Sequence, residues 1–175
     1  RELTVWPLGD LRRWFDLEIF AGGFTVSAMG RLLAGRVLPE EVHRVLYLDC
    51  DTIVLDDLSP LETLDMQGCP VGMVQEPTVS HKRLPVLGLP ETSRYCNSGV
   101  LLMDLDRWRA EETEKTIFDY YRAKGAQLIA PDQDALNGAL PGHIYILPPR
   151  YIFGSVQIYY VYAAQKKMCD PAPFY

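Results

Sequence analysis

A short apolar run that ends abruptly in two carboxylates constrains this chain most strongly. Residues 45–52 read Val-Leu-Tyr-Leu-Asp-Cys-Asp-Thr, so the first charges of the run are Asp49 and Asp51. Such runs are typical of strands buried on both faces of a parallel sheet, and these sheets bind ligands at the carboxyl ends of their strands. We therefore expect a buried strand over 45–49 and a ligand site where it ends.

The two carboxylates indicate a site for a cation. Side chains two residues apart in an extended segment point the same way, which would place Asp49 and Asp51 together and Cys50 on the opposite side. Two carboxylates about 4 Å apart repel each other by roughly 4 kcal/mol at an effective dielectric of about 20, so the pair favours a bound ion. Oxygen ligands suit Mg²⁺ or Mn²⁺. The alternative is an ordinary turn, where Asp is common.

Composition limits the classes of protein. A chain of 175 residues that is 48% hydrophobic can build one globular core, so we expect a single domain over residues 1–175. The net charge of -6 argues against nucleic acid as a partner. The four cysteines show no Cys-x-x-Cys spacing, and no apolar stretch is long enough to span a bilayer. These features predict a cytoplasmic protein.

Strand and helix patterns alternate along the chain, which predicts an α/β fold with helices flanking a mixed, mostly parallel sheet. A long loop is expected over 77–95, where prolines and a glycine accumulate. The patterns predict strands over 3–8, 45–49, 71–75, 100–103 and 144–147, and helices over about 27–37, 107–124 and 131–137.

Two further polar clusters stand next to predicted elements. Asn97-Ser98-Gly99 precedes an apolar strand, and Asp132-Gln133-Asp134 opens a short helix. Taken singly, the first is ordinary turn chemistry and the second an ordinary helix start.

Together with Asp49-Cys50-Asp51, these two clusters give three motifs that in this order resemble glycosyltransferase family 8. That family includes bacterial lipopolysaccharide galactosyl- and glucosyltransferases and the glycogenins. The resemblance runs from about Phe24 to Arg150. It implies a GT-A fold and a bacterial hexosyltransferase of lipopolysaccharide biosynthesis that works with retention of anomeric configuration. It also implies Mn²⁺ or Mg²⁺ as cofactor, a nucleotide-sugar donor such as UDP-glucose or UDP-galactose, and a saccharide or glycolipid acceptor.

The resemblance also implies roles for particular residues. Asp49 and Asp51 correspond to the metal-binding acids, and Asp132 and Gln133 to the catalytic pair beside the anomeric carbon. Because the Gln133 amide is uncharged and a poor nucleophile, we expect it to position the sugar for attack on the same face. The implied donor-binding set is Arg31, Asp49, Cys50, Asp51, Glu76, Asn97 and Ser98.

The chain departs from the family pattern in three places. Met29-Gly30 stands before Arg31 instead of a Tyr-rich stretch, and Glu76 replaces a shorter acid. The C-terminal His-x-x-Gly-x-x-Lys-Pro-Trp, which carries the third metal ligand, is not found, and neither are the first strand and helix. We therefore expect an internal fragment that is inactive alone, with membrane association through a C-terminal segment outside it.

Two alternatives stay open. A truncated, catalytically impaired relative would keep the GT-A fold as a binding module. A phosphatase of the haloacid dehalogenase type is the weaker alternative, because its Asp-x-Asp-x-Thr/Val motif would have Ile53 at the fifth position and Thr52 one place early.

Overall fold

A four-stranded mixed sheet lies at the centre of the computed structural model, which describes residues 3–14, 26–76, 79 and 82–152. Along the sheet the strands follow the order β1-β3-β2-β4. Their bounds are β1 Arg44–Leu48, β2 Val71–Gln75, β3 Cys96–Asp104 and β4 Ile144–Leu147. β3 runs antiparallel to both of its neighbours, whereas β2 and β4 are parallel.

The mixed sheet is confirmed, but the predicted predominance of parallel pairing is wrong for the described strands. Two of the three pairings are antiparallel, because β3 opposes both β1 and β2. Residues 98–103 of β3 are buried, as its apolar sequence predicts. A continuous apolar run indicates that a strand is central and covered on both faces. A central antiparallel strand meets the same condition, so the run does not determine strand direction.

Helices cover the sheet. The α-helices are α1 Ala34–Val37, α2 Arg83–Val86, α3 Leu105–Ala110, α4 Thr113–Lys124 and α5 Pro131–Ala139. Short 3₁₀ helices span Leu11–Trp14, Val26–Leu33, Ser59–Leu61, Gly125–Gln127 and Pro149–Tyr151. Side chains from β2, β3 and most of these helices form the larger apolar core, and a smaller core forms around Leu102 and Leu147.

The single helix predicted over 107–124 is two helices, α3 and α4, separated at Glu112 by a positive φ of 50°. Trp108 and Ile117 are both buried, at 1% and 0% exposure. Nine residues along one straight α-helix would turn them to opposite faces, because each residue advances about 100°. The break therefore lets both side chains enter one core.

Two strand predictions need correction. All five residues of β1 are only half-buried, because β1 lies at the edge of the described sheet rather than inside it. Residues 3–8 form no strand, and Leu3 and Val5 are 88% and 77% exposed. Pro7 cannot donate to a strand ladder, which disfavours pairing there. Within the described ranges, no helix has the length and apolar character needed to cross a bilayer.

Candidate functional site

The chain turns immediately after β1, and this turn carries the first motif. The backbone of Asp49 continues the ladder by donating to Gly99 O at 2.9 Å, and Thr52 N then donates to Asp49 O at 3.0 Å. The segment is therefore not extended through Asp51, so the geometry from which we predicted side chains on one side does not hold. Cys50 and Asp51 are exposed in the turn.

The second motif, Asn97-Ser98-Gly99, lies where the pairing of β3 with β2 is irregular. Met73 of β2 lies opposite Leu101, but the next residue, Val74, lies opposite Asn97. The residues between them on β3 have no partner on β2, which leaves the backbone groups of Ser98 available to side chains. Ser98 N donates to Gln133 Oε1 at 3.0 Å, and Ser98 O accepts from Arg31 Nη1 at 2.6 Å. The disrupted ladder is thus completed by residues that the sequence marks as functional.

Arg31 joins the three motifs. It lies in the 3₁₀ helix that starts at Val26, and its side chain is 8% exposed. Its Nη2 is 2.9 Å from Asp49 Oδ1, and its Nε is 3.3 Å from Asp132 Oδ2. Asp132 also accepts from Ser98 Oγ at 2.9 Å. One guanidinium therefore binds the acid after β1, the backbone of β3 and the acid at the start of α5.

Asn137, in the last turn of α5, holds this helix against β3. Its Oδ1 accepts from Cys96 N at 2.7 Å, and its Nδ2 donates to Cys96 O at 2.8 Å and to Gln133 O at 2.8 Å. The side-chain amide thereby pairs with the strand as another strand would. Asn137 and Asp132 are almost fully buried, at 2% and 5% exposure, so this contact fixes where Asp132 and Gln133 stand.

Sequence reasoning missed Tyr47. Its hydroxyl donates to Asp49 Oδ1 at 2.8 Å, and the Arg31 guanidinium lies over its ring at 4.7 Å from the centroid. Burial and this hydrogen bond hold the pKa of Tyr47 well above its usual value, so the hydroxyl remains a donor. Period-two spacing on β1 was the available signal, because Tyr47 and Asp49 share one side of a strand.

Tyr95 was also missed; it lies two residues before Asn97, with Cys96 between them. Asn97 and Gly99 complete the site at β3. Asn97 Nδ2 donates to Glu76 Oε2 at 3.3 Å, and Asn97 Oδ1 accepts from Gly99 N at 2.7 Å. A Cβ on Gly99 would lie 3.0 Å from Asp49 Oδ2 and 3.0 Å from Asn97 Oδ1. Glycine therefore lets the Asp49 carboxylate lie against the strand.

The carboxylates of the turn are oxygen ligands of the kind that a hard divalent ion prefers. Asp49 Oδ1 is bound by Tyr47 and Arg31, while Asp51 has no hydrogen-bond or ion-pair partner among the described residues. The described ranges hold no cluster of three acidic, His or Cys side chains around a common point. Magnesium-like ions are commonly held by one or two carboxylates and complete their shell with water and phosphate oxygens. Two carboxylates therefore suit an ion that is bound together with a phosphorylated ligand.

The structure brings most of the predicted site residues into one hydrogen-bonded group. Its members are Arg31, Asp49, Ser98, Asp132 and Gln133, and Asn97 with Glu76 adjoins it through Gly99. No contact within the described residues ties Cys50 or Asp51 to this group.

The Arg31→Lys variant should lose about 1–2 kcal/mol of unfolding free energy in urea, because an ammonium cannot reproduce the planar fork that reaches acceptors on four different residues. The matched control is Arg36→Lys. The Arg36 side chain is 48% exposed, donates to Trp14 O at 3.0 Å and pairs with Glu114, and a lysine can still form this ion pair, so we expect a change below about 0.5 kcal/mol. Equal stability of Arg31→Lys and wild type would contradict a central role for the guanidinium.

Comparison with solved structures identifies the fold. The galactosyltransferase LgtC, solved with donor and acceptor sugar analogues, matches with a TM-score of 0.72 and 26% sequence identity. The match covers 86% of this chain and 54% of LgtC. The glycosyltransferase GlyE of Streptococcus pneumoniae TIGR4 matches with a TM-score of 0.59 at 24% identity, over 84% of this chain and 33% of GlyE, which concerns the fold alone. The chain has the GT-A fold.

Comparison with known sequences identifies the family. Lipopolysaccharide 1,2-glucosyltransferase of Escherichia coli K12 is 35% identical over 124 residues, which are 69% of this chain and 36% of that protein. General stress protein A of Bacillus subtilis 168 is 33% identical over 114 residues, 64% of this chain and 40% of that protein. The chain thus spans well under half the length of these relatives. The model of glycosyl transferase family 8 matches residues 25–172, and the chain belongs to this family.

Proposed function

We propose that the protein transfers a hexose from a nucleotide-sugar, UDP-glucose or UDP-galactose, to a saccharide or glycolipid acceptor with retention of configuration and with Mn²⁺ or Mg²⁺. One observation carries this proposal. Arg31 binds both Asp49, beside the candidate metal position, and Asp132, beside the candidate sugar position, and it does so through a buried guanidinium. The three motifs therefore belong to one site.

At the metal end, Asp49 and Asp51 would hold the ion. A divalent ion there would stabilise the negative charge that develops on the departing diphosphate. The contacts of Tyr47 and Arg31 to Asp49 Oδ1 fix that carboxylate before any ligand arrives. Asp51 is exposed in the turn and is free to approach an ion. One acid is thus held in place and the other is adaptable.

At the sugar end, Asp132, Gln133, Asn97 and Glu76 would bind and orient the hexose. Positive charge grows on the sugar ring as its bond to the phosphate breaks, and short polar side chains can direct the ring hydroxyls. Gln133 presents a neutral amide, so we assign it a positioning contact with the sugar and same-face attack by the acceptor. One of the LgtC structures is an active-site mutant with glutamate in place of a glutamine, so that enzyme has a glutamine in its active site.

The setting that we propose is bacterial lipopolysaccharide synthesis in the cytoplasm. The support is the relative from Escherichia coli, a lipopolysaccharide 1,2-glucosyltransferase that is 35% identical.

A panel of nucleotide-sugars, each with Mn²⁺, Mg²⁺ or excess chelator, tests the function of the whole protein. We expect release of UDP from UDP-glucose or UDP-galactose only when a divalent ion is present. Turnover that is equally fast in chelator would contradict the metal dependence. Binding of UDP without any turnover would favour the binding module, and hydrolysis of a simple phosphate ester without nucleotide-sugar would favour the phosphatase.

A further inference from the structure

The hydroxyl of Tyr95 lies between Gln133 and Asp134 in the interior. Tyr95 immediately precedes β3 and is 4% exposed. Its hydroxyl donates to Asp134 Oδ1 at 2.7 Å and accepts from Gln133 Nε2 at 3.2 Å. Neither Tyr95 nor Asp134 has a role in the proposed function, yet their contacts end on the Gln133 amide that we place at the sugar.

The direction of this hydrogen-bond chain is determined at Asp134. This carboxylate is 1% exposed, and Oδ2 accepts from Ile129 N at 2.8 Å, from Ala130 N at 3.0 Å and from the Arg83 guanidinium. Surrounded by donors, Asp134 acts as an acceptor, so Tyr95 gives its proton to Oδ1. Burial and this hydrogen bond raise the pKa of Tyr95 far above its usual value, so the proton stays on the hydroxyl.

The direction of hydrogen bonding at the other end of this hydrogen-bond chain is determined at Ser98. Its backbone N–H can only donate, and it donates to Gln133 Oε1. The two ends together specify the orientation of the Gln133 amide: the carbonyl faces Ser98 and the NH₂ group faces Tyr95. Rotating the amide by half a turn would place donor against donor at Ser98. The two orientations have nearly the same shape, so hydrogen-bond partners alone distinguish them.

We propose that Tyr95, held by Asp134, is a positioning residue that fixes the Gln133 amide in the one orientation used for sugar transfer. The inference rests on the proposed function, in which Gln133 orients the hexose. Because Arg83 begins α2 and binds Asp134, the same chain also ties the 82–95 segment to the amide.

The Tyr95→Phe variant of the whole protein should lower kcat roughly five- to tenfold, because one hydrogen bond that orients the amide is lost. The donor KM and the Kd of UDP should stay within about twofold, since no contact to the nucleotide changes. Tyr120→Phe is the matched control. That hydroxyl, half-buried on α4, donates to Leu87 O at 2.8 Å and does not contact Gln133, so kcat should be unchanged.

The Asp134→Asn variant tests the direction of the hydrogen bonds between Asp134, Tyr95 and Gln133 without removing the Tyr95 hydroxyl. With its carbonyl retained by the N–H groups of Ile129 and Ala130, the new amide would donate to Tyr95 where the carboxylate accepted. Tyr95 would then donate to Gln133 and favour the reversed amide. We expect kcat to fall at least as far as in Tyr95→Phe, with little further loss when the two changes are combined.

A double-mutant cycle with Gln133→Ala separates this inference from the proposed function. If Tyr95 acts through Gln133, Tyr95→Phe should have no further effect on kcat once Gln133 is alanine. An unchanged kcat in Gln133→Ala alone would contradict the role of Gln133 in the proposed function. A large loss in Gln133→Ala, with Tyr95→Phe either at the wild-type kcat or equally harmful in both backgrounds, would overturn the positioning role and leave the transferase intact.

Discussion

The Asp51→Ala variant of the whole protein should turn over its nucleotide-sugar donor roughly a hundredfold more slowly than wild type, a loss of about 3 kcal/mol of transition-state stabilisation. The reason is electrostatic. In the proposed function, removing one carboxylate would leave the divalent ion with a single acid from the turn, so the charge on the departing diphosphate would be less well compensated.

Asp51 is the sharper choice of the two acids. Asp49 binds Tyr47 and Arg31, so its removal would disturb the fold of the site as well as the ion. Asp51 is exposed and has no partner in the described part of the chain, and its replacement should change the unfolding free energy by less than about 0.5 kcal/mol. Any loss of activity then reports on ligand binding or catalysis.

Asp56→Ala is the control for this experiment. Asp56 is an exposed acid in the same loop and lines a separate surface cleft with Leu46 and Leu61. Its removal tests whether a general change of charge affects turnover, and we expect activity close to wild type. Wild-type turnover in Asp51→Ala at saturating Mn²⁺ would show that the ion does not need this carboxylate.

The Gln133→Ala variant should lower kcat by roughly ten- to a hundredfold and leave the Kd of UDP within about twofold of wild type. The proposed function places Gln133 at the sugar end, where its contacts would strengthen as charge grows on the ring. In the proposed function the nucleotide end would be held by the metal and its carboxylates, which this change does not touch.

Gln127→Ala serves as the matched control for Gln133→Ala. Gln127 is an exposed amide that ends the 3₁₀ helix before α5, and its side chain makes no contact to the site. Kinetics should be unchanged. A loss of UDP affinity in Gln133→Ala as large as the loss in kcat would place Gln133 at the nucleotide and contradict the assignment.

Much of the fold follows from local pattern. β2 and β4 have the bounds that their apolar runs predict, and residues 98–103 of β3 are buried as expected. Strand direction does not follow, because an apolar run carries no sign of its neighbour's orientation. The break at Glu112 also lies outside local pattern, since only the shared core of Trp108 and Ile117 requires it.

The sequence likewise predicts some features of the candidate site and not others. Motif order predicted that Asp49, Ser98, Asp132 and Gln133 form a common site, and these residues are linked through hydrogen bonds and Arg31. The contacts of Asn137 to Cys96 could not be predicted, because they depend on the exact placement of a helix against a strand.

Calorimetric titration of UDP into wild type, Asp51→Ala and Gln133→Ala, each with Mn²⁺ and with chelator, tests most directly whether the site has a metal end and a sugar end. Wild type should bind UDP at least roughly tenfold more tightly with Mn²⁺, which is about 1.4 kcal/mol. Gln133→Ala should keep this dependence, and Asp51→Ala should lose most of it. UDP binding by wild type that is equally tight in Mn²⁺ and in chelator would contradict the account.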